Sequence, residues 1–233
     1  MAGNDTRGRT PLSLVGQDPD ISFYTRQATE RGGPVLVLGS ANGRVAWAVG
    51  RQGLSVLGVD PSERMVRAAE ELRAGESPEV AGRVRFLHAD LRSLRLSERF
   101  PVVLAPQHAL GMMDSHEALE AFLATVRHHL EPGGVFVYDV LNPPPAPAAT
   151  RREDEEPTAP LEPRRPVFAF HLRERRQPGT PLGIHRLKLR PFTAEELDAA
   201  MQACGLTPRE RYGRFDGKPF DPEDARHIGV VEG

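Results

Sequence analysis

Gly39-Ser40-Ala41-Asn42-Gly43, followed further on by Asp60, is the part of this 233-residue chain best suited to chemistry. Gly39 and Gly43 let the backbone turn sharply and approach a ligand closely. A helix that starts at such a turn presents free N–H groups and a partial positive charge, which suits an anionic group. Asp60 ends an apolar run about 20 positions later, where a carboxylate can accept hydrogen bonds from both hydroxyls of a ribose. It can equally cap the next helix. The turn does not read G-x-G-x-x-G, because Ala41 takes the place of the second glycine and no third follows on schedule. These residues point to an adenosine ligand without a pyrophosphate, with S-adenosylmethionine the leading candidate.

His108, in Ala105-Pro106-Gln107-His108, is the candidate proton acceptor. With an unperturbed pKa of about 6.5, an imidazole there could take a proton from an oxygen or nitrogen nucleophile. A loop histidine with no special role fits the same residues. Met112-Met113 reads as core or pocket wall. His128 and His129 end a helical stretch, where an imidazolium is favoured by the helix dipole. No His, Cys and Asp cluster has the spacing of metal ligands.

The elements that must position these residues follow from apolar periodicity. A short helix covers Ile21 to Glu30. Strands are expected at Val35–Leu38, Leu54–Val59, Val84–His88, Val102–Ala105 and Val135–Leu141. Between them lie a helix from about Asn42 to Arg51, ended by Gly53, and a second starting after Asp60-Pro61-Ser62 and carrying Met65. A third helix, from about Ser115 to Leu130, stops at Glu131-Pro132-Gly133-Gly134. Strands alternating with helices imply a parallel sheet. Asn142 to Pro166 breaks the pattern: these 25 residues hold eight prolines and the charged run Arg151 to Glu156. Such a stretch buries little apolar surface and reads as a solvated linker, with a lid as the functional alternative. Two strand-like runs, 167–173 and 184–190, are joined by the turn-rich Gln177–Gly183 and predict a hairpin against the ligand mouth. Thr193-Ala194-Glu195-Glu196 has the pattern of a capping box and opens the last helix. Runs at Thr207–Tyr212 and His227–Val231 close the sheet as an antiparallel pair.

Composition fits one soluble domain with a substantial core. The expected segments are a flexible arm over 1–19, a cofactor-binding half over 20–142, the Pro-rich insertion and hairpin over 143–190, and a closing helix and strands over 191–233. Thirty basic and 32 acidic side chains give a net charge of −2, without the basic surplus of a nucleic-acid binder. No apolar run approaches a membrane span, and the N-terminus lacks an apolar signal core, so cytoplasmic residence is expected. The single Cys204 excludes an internal disulfide and reads as a buried small apolar residue. The expected partner is a small-molecule substrate, with neither nucleic acid nor membrane, for a monomer or homodimer.

The stretch Asp20-Ile21-Ser22-Phe23-Tyr24 and then GGPVLVLGSANGRVA, GVDPSERMVRAA, VRFLHADLRSL, FPVVLAPQHAL, HHLEPGGVFVYDVLNP, FTAEELDAAMQACGL and YGRFDGKPFDP occur in one order from about residue 20 to the C-terminus. Together they resemble a class I S-adenosylmethionine-dependent methyltransferase of the small-molecule type. The resemblance implies an α/β, Rossmann-like, doubly wound seven-stranded sheet. That sheet would be mostly parallel, with an antiparallel final strand and a small inserted β-hairpin. It further implies a cofactor held by Tyr24, Gly39, Ser40, Ala41, Asn42, Gly43, Asp60, Pro61, Met65, Asp90, Leu91, Ala105 and Gln107. Asp90 would accept from the adenine amino group, and Tyr24 would close over the methionine end. His108 and Tyr24 are the implied catalytic residues. Tyr212 and Asp216 resemble the family's late loop at the site's rim.

Three positions depart from the family's pattern. Val37 stands where the first strand carries an acid for the cofactor's ammonium, Ala41 replaces the middle glycine, and Pro101 replaces an Asp. Two readings follow: methyl transfer to a small-molecule N or O acceptor, or a non-catalytic methyltransferase-like binding or regulatory protein with a degenerate cofactor site. A nicotinamide-dependent oxidoreductase is a distant third, since its third glycine is missing.

Overall fold

In the computed structural model, which describes residues 18–143, 168–173 and 184–233, seven strands form one sheet. In chain order the elements are Pro19–Arg31 (α1), Val35–Leu38 (β1), Arg44–Arg51 (α2), Val56–Asp60 (β2), Glu63–Glu71 (α3), Pro78–Arg83 (α4), Val84–His88 (β3) and Phe100–Ala105 (β4). Then come His116–His129 (α5), Leu130–Leu141 (β5), Phe168–Arg173 (β6), Ile184–Leu189 (β7), Ala194–Ala203 (α6), Thr207–Tyr212 (β8) and Arg226–Glu232 (β9). The sheet order is β3-β2-β1-β4-β5-β9-β8. All pairs as far as β5 are parallel, and β9 runs antiparallel to both β5 and β8. β6 and β7 pair antiparallel as a separate hairpin.

Alternating side chains of β1 supply both cores. Leu36 and Leu38 pack with Phe122, Leu123 and Val126 of α5, while Val35 and Val37 pack with Phe23 of α1 and Val45 and Val49 of α2. A strand buried on both faces reads as an unbroken apolar run, which is why Val35-Leu36-Val37-Leu38 is legible. The chain winds outward from β1 to β3 and then crosses back to β4. Strands β1 and β4 therefore flank the point where strand order reverses, and the crevice at their carboxyl ends is where open α/β sheets bind ligands.

Several details differ from the sequence reading. The helix start and the strand ahead of Asp60 fall about two residues later than expected, at Arg44 and Val56. The run Glu131-Pro132-Gly133-Gly134 does not end a helix against a separate strand. It bulges within β5, whose register jumps from Phe100↔Leu130 to Val102↔Val135. Gly133 accommodates this at φ 74°, and its N–H donates to Gly233 O at 3.0 Å. His129 is not a solvated imidazolium. Wholly buried, it accepts the Leu96 N–H on Nε2 at 2.9 Å and sets Nδ1 2.8 Å from Thr125 O, the pattern of a neutral ring. Burial lowers its pKa accordingly. Cys204 caps α6 half-buried rather than sitting in the core. The capping box at Thr193 and Glu196 is present with both bonds, at 3.2 and 2.9 Å. The arm is shorter than expected at its end, since Asp18 caps and Pro19 opens α1; residues 1–17, most of the Pro-rich insertion and the turn 177–183 lie outside the described residues.

Candidate active site

Asp60 is the last residue of β2 and is 5% exposed. Its Oδ2 accepts the Ala41 N–H at 2.8 Å and its Oδ1 the Ser62 N–H at 2.9 Å. The carboxylate thus ties the turn after β1 to the start of α3. Burial raises its pKa, opposed by these two N–H donors. Ala41 sits at φ 47°, in the left-handed region that favours glycine, beside Gly39 at 73° and Gly43 at 81°. A Cβ added to Gly39 would come within 2.8 Å of Ala109 Cβ, so this glycine lets the turn rest against the segment after β4. The Ser40 hydroxyl is buried without a hydrogen-bond partner.

Beside Asp60 lies a pocket of about 410 Å³, lined by Pro61, His88, Asp90, Leu91, Met112 and Met113, among others. Leu91 and Met113 are buried, and with Met112 they give it apolar walls. Asp90 stands at the rim, where Arg92 grips it at 3.0 and 2.7 Å and holds its pKa down to about 2. Arg190 N donates to Gly111 O at 2.7 Å, which anchors the end of the hairpin to the 3₁₀ turn Ala109–Met112 that carries the pocket's methionine. The lining also holds His88, Arg92 and Asp114, so apolar walls that suit a flat ring stand beside polar groups that can hydrogen-bond to it.

A second cluster lies at the carboxyl ends of β4 and β5. Asp139 is 1% exposed and is the one acid among the apolar residues that end β5. Its Oδ1 accepts the Tyr24 hydroxyl at 2.7 Å and the Gln107 N–H at 2.6 Å. Its Oδ2 accepts from Arg226 of β9 and lies 3.3 Å from His108 Nδ1, an ion-pair distance. Gln107 and His108 are both left-handed, at φ 57° and 63°. The Gln107 side-chain amide faces the guanidinium of Arg44, which also pairs with Asp18 and Asp20 of the α1 start. Burial, with Arg226 in support, lowers the His108 pKa, although Asp139 opposes the shift. Burial and Asp139 push the Tyr24 phenol well above its ordinary value, so it stays a hydrogen-bond donor.

The structure therefore sorts the expected residues into two groups. Pro61, Asp90 and Leu91 line the pocket, while Asp60 holds the Gly39–Gly43 turn through the Ala41 N–H. Tyr24, Gln107 and His108 meet at Asp139. Met65 lies on α3 outside the pocket lining, and Ala105 is wholly buried in the sheet. Ser40 turns toward Gly58, where an added Cβ would lie 3.0 Å from its own. Tyr212 packs on Phe23 with ring centroids 5.8 Å apart, and Asp216 pairs with Arg214 at 3.1 Å. Sequence reading missed Asp139 and Arg226. The only signal was an unexplained acid in VFVYDVL.

A family model described as "Methyltransferase domain" matches residues 35–134. No curated protein matches the chain in sequence. Among solved structures, the CcbJ methyltransferase from Streptomyces caelestis is similar at TM-score 0.71 and 24% identity, over 93% of this chain and 96% of that one. An S-adenosylmethionine-dependent methyltransferase from Clostridium acetobutylicum is similar at TM-score 0.69 and 15% identity, over 92% and 90%. The glycopeptide N-methyltransferase MtfA, complexed with S-adenosylmethionine, is similar at TM-score 0.65 and 18% identity, over 91% and 86%.

Proposed function

We propose that this chain, a methyltransferase-domain protein across residues 35–134 built on the class I S-adenosylmethionine-dependent methyltransferase fold, methylates a nitrogen or oxygen atom of a small molecule. A methyltransferase domain is an enzyme domain, and S-adenosylmethionine is its methyl donor. One observation carries the assignment of residues: Asp60, which accepts the Ala41 N–H of the glycine turn, is followed by Pro61 and paired in register with His88, both of which line the pocket of Leu91 and Met113.

The residues fit the adenosyl part of that donor. Asp60 offers acceptors for ribose hydroxyls, since each of its oxygens keeps a lone pair beyond its backbone N–H bond. Leu91, Met112 and Met113 supply flat apolar contact for adenine, and Asp90 an acceptor at the rim. The fit is poorer at the amino-acid end, where Val37 is wholly buried and offers no carboxylate to an ammonium.

When bound, the donor's sulfonium supplies a methyl group that is already activated, and alignment provides much of the acceleration. His108, kept neutral by burial, accepts at an imidazole nitrogen the proton that an N–H or O–H acceptor must lose. Tyr24 holds its proton and donates it in a hydrogen bond to Asp139, which faces the His108 ring. The glycopeptide N-methyltransferase among the similar structures supports an acceptor of small-molecule type.

Calorimetric titration with S-adenosylmethionine and S-adenosylhomocysteine tests this reading. Asp60→Ala should weaken binding by roughly 1.5–3 kcal/mol, about 10- to 150-fold. Circular dichroism should confirm that the variant keeps its fold, since Asp60 also holds the Ala41 and Ser62 N–H groups. Tighter binding of NAD than of either adenosyl ligand would sink the assignment. The buried Val37 and left-handed Ala41 favour a second reading, a non-catalytic binding protein. Adenosyl binding without methyl transfer to any of a panel of small amines and phenols would support it.

A further inference from the structure

We propose that Asp139 and Arg226 form the positioning device of the transfer site, holding Tyr24 and the Gln107–His108 segment together and setting the charge state of His108. This rests on the reading of Tyr24 and His108 as site residues.

A carboxylate taken out of water loses several kcal/mol of solvation unless hydrogen bonds replace it. Asp139 is wholly inside, between Tyr138 and Val140, and pairs in register with Ile228 of β9. Its donors come from three separate parts of the chain: Tyr24 lies 115 positions away, Gln107 32 and Arg226 87. One carboxylate thus gathers α1, the loop after β4 and β9 at the switch point of the sheet.

The loop it holds is strained. Gln107 and His108 are two consecutive non-glycine residues with positive φ. Such backbone persists only where its surroundings over-determine it, and it clusters at functional sites. Here the Gln107 N–H bond to Asp139 fixes the first of the pair, and Asp139 faces the ring of the second. Arg226 neutralises the carboxylate and stacks over Phe215 with its carbon 5.0 Å from the ring centre. Phe215 in turn lies 6.0 Å from Tyr24. Among the groups that act on His108 are Asp139 from β5 and Arg226 from β9, with Tyr24 of α1 acting through Asp139. Asp139 touches no reacting atom in this account, so it positions rather than catalyses.

A purely structural staple would leave the His108 titration unmoved, and this gives the test. The histidines are observed by NMR from pH 4 to 8, with His108 assigned from His108→Gln. Asp139→Asn keeps the shape and an acceptor for Tyr24 but removes the charge. It should lower the His108 midpoint by roughly one pH unit, because a nearby carboxylate favours the imidazolium. Arg226→Gln should raise the midpoint, because it removes a like charge. Should Asp139→Asn fail to fold, Arg226→Gln decides alone, since the Arg226 side chain is 34% exposed and its loss leaves the Tyr24 and Gln107 bonds in place. A His108 midpoint that stays put in a folded variant, or moves the opposite way, overturns the proposal. Parallel calorimetry with S-adenosylhomocysteine separates the two failures. Absent binding by the unaltered chain refutes the methyltransferase reading, whereas intact binding with unmoved midpoints refutes only the positioning role.

Discussion

His227 is fully buried beside Tyr138, whose hydroxyl lies 3.4 Å from Nε2, and its Nδ1 has no hydrogen-bond partner. Burial lowers its pKa to about 3, with Arg211 adding to the shift. The unfolded chain returns it to about 6.5 and so binds the extra proton first. Its contribution to stability is therefore complete above about pH 6.5 and is lost as pH falls toward 3. The slope from this one group is roughly 1.4 kcal/mol per pH unit. Urea unfolding between pH 7 and 4 should show His227→Leu flattening the acid loss of stability, and an unchanged slope would contradict this assignment. His108 and His129 are also lowered and keep part of the slope in the variant. Of the buried polar residues at the site, Asp60 was legible because it ends an apolar run at a fixed distance from a glycine turn. Asp139 was not, because its meaning lies in Tyr24 and Arg226, which are remote in sequence and meet it only when β9 pairs with β5.

Elements with strong periodicity were legible, and those defined by tertiary contact were not. The six-residue α4 has no buried residue and leaves no apolar stripe. The bulge in β5 depends on its partner: Gly133 and Gly134 exchange backbone bonds with Gly233 at 3.0 and 3.1 Å, a contact between chain segments 100 residues apart that composition cannot show. The β1–α2 turn was located correctly, yet its conformation holds a test of the two functional readings. Ala41 at φ 47° carries a Cβ in a region where only glycine is at ease. Ala41→Gly should relieve that strain and open the ligand path, while Val37→Asp restores a carboxylate for an ammonium. Burying that carboxylate without its partner is costly, so the double variant should be destabilised unless ligand is present. The expected outcome is a folded double variant that binds S-adenosylmethionine more tightly than the parent. Unchanged or absent binding in a well-folded variant would favour the non-catalytic reading.

The whole molecule converges on the switch point. Tyr24 comes from its first described helix, Asp60 from the parallel half of the sheet, Gln107 from the loop after β4, and Arg226 from the last strand. On the proposed reading a ligand contacts elements from both parts of the sheet, so it should stabilise the fold as one unit rather than stiffen one loop. Mass action sets the size: at a hundred times its dissociation constant, a ligand that binds only the folded chain adds about 2.7 kcal/mol. For a domain of this length each kcal/mol raises the melting temperature by about 2–4 °C. S-adenosylhomocysteine should therefore raise the midpoint by roughly 5–11 °C in one cooperative transition. At the same ligand concentration Asp60→Ala should lose most of that gain. With 30 basic against 32 acidic side chains, DNA or RNA at physiological salt should give none. A rise with NAD equal to that with S-adenosylhomocysteine would contradict the adenosyl assignment. A split transition, in which only part of the signal moves, would mean that the two halves of the sheet do not unfold together and that the ligand bridges only one of them.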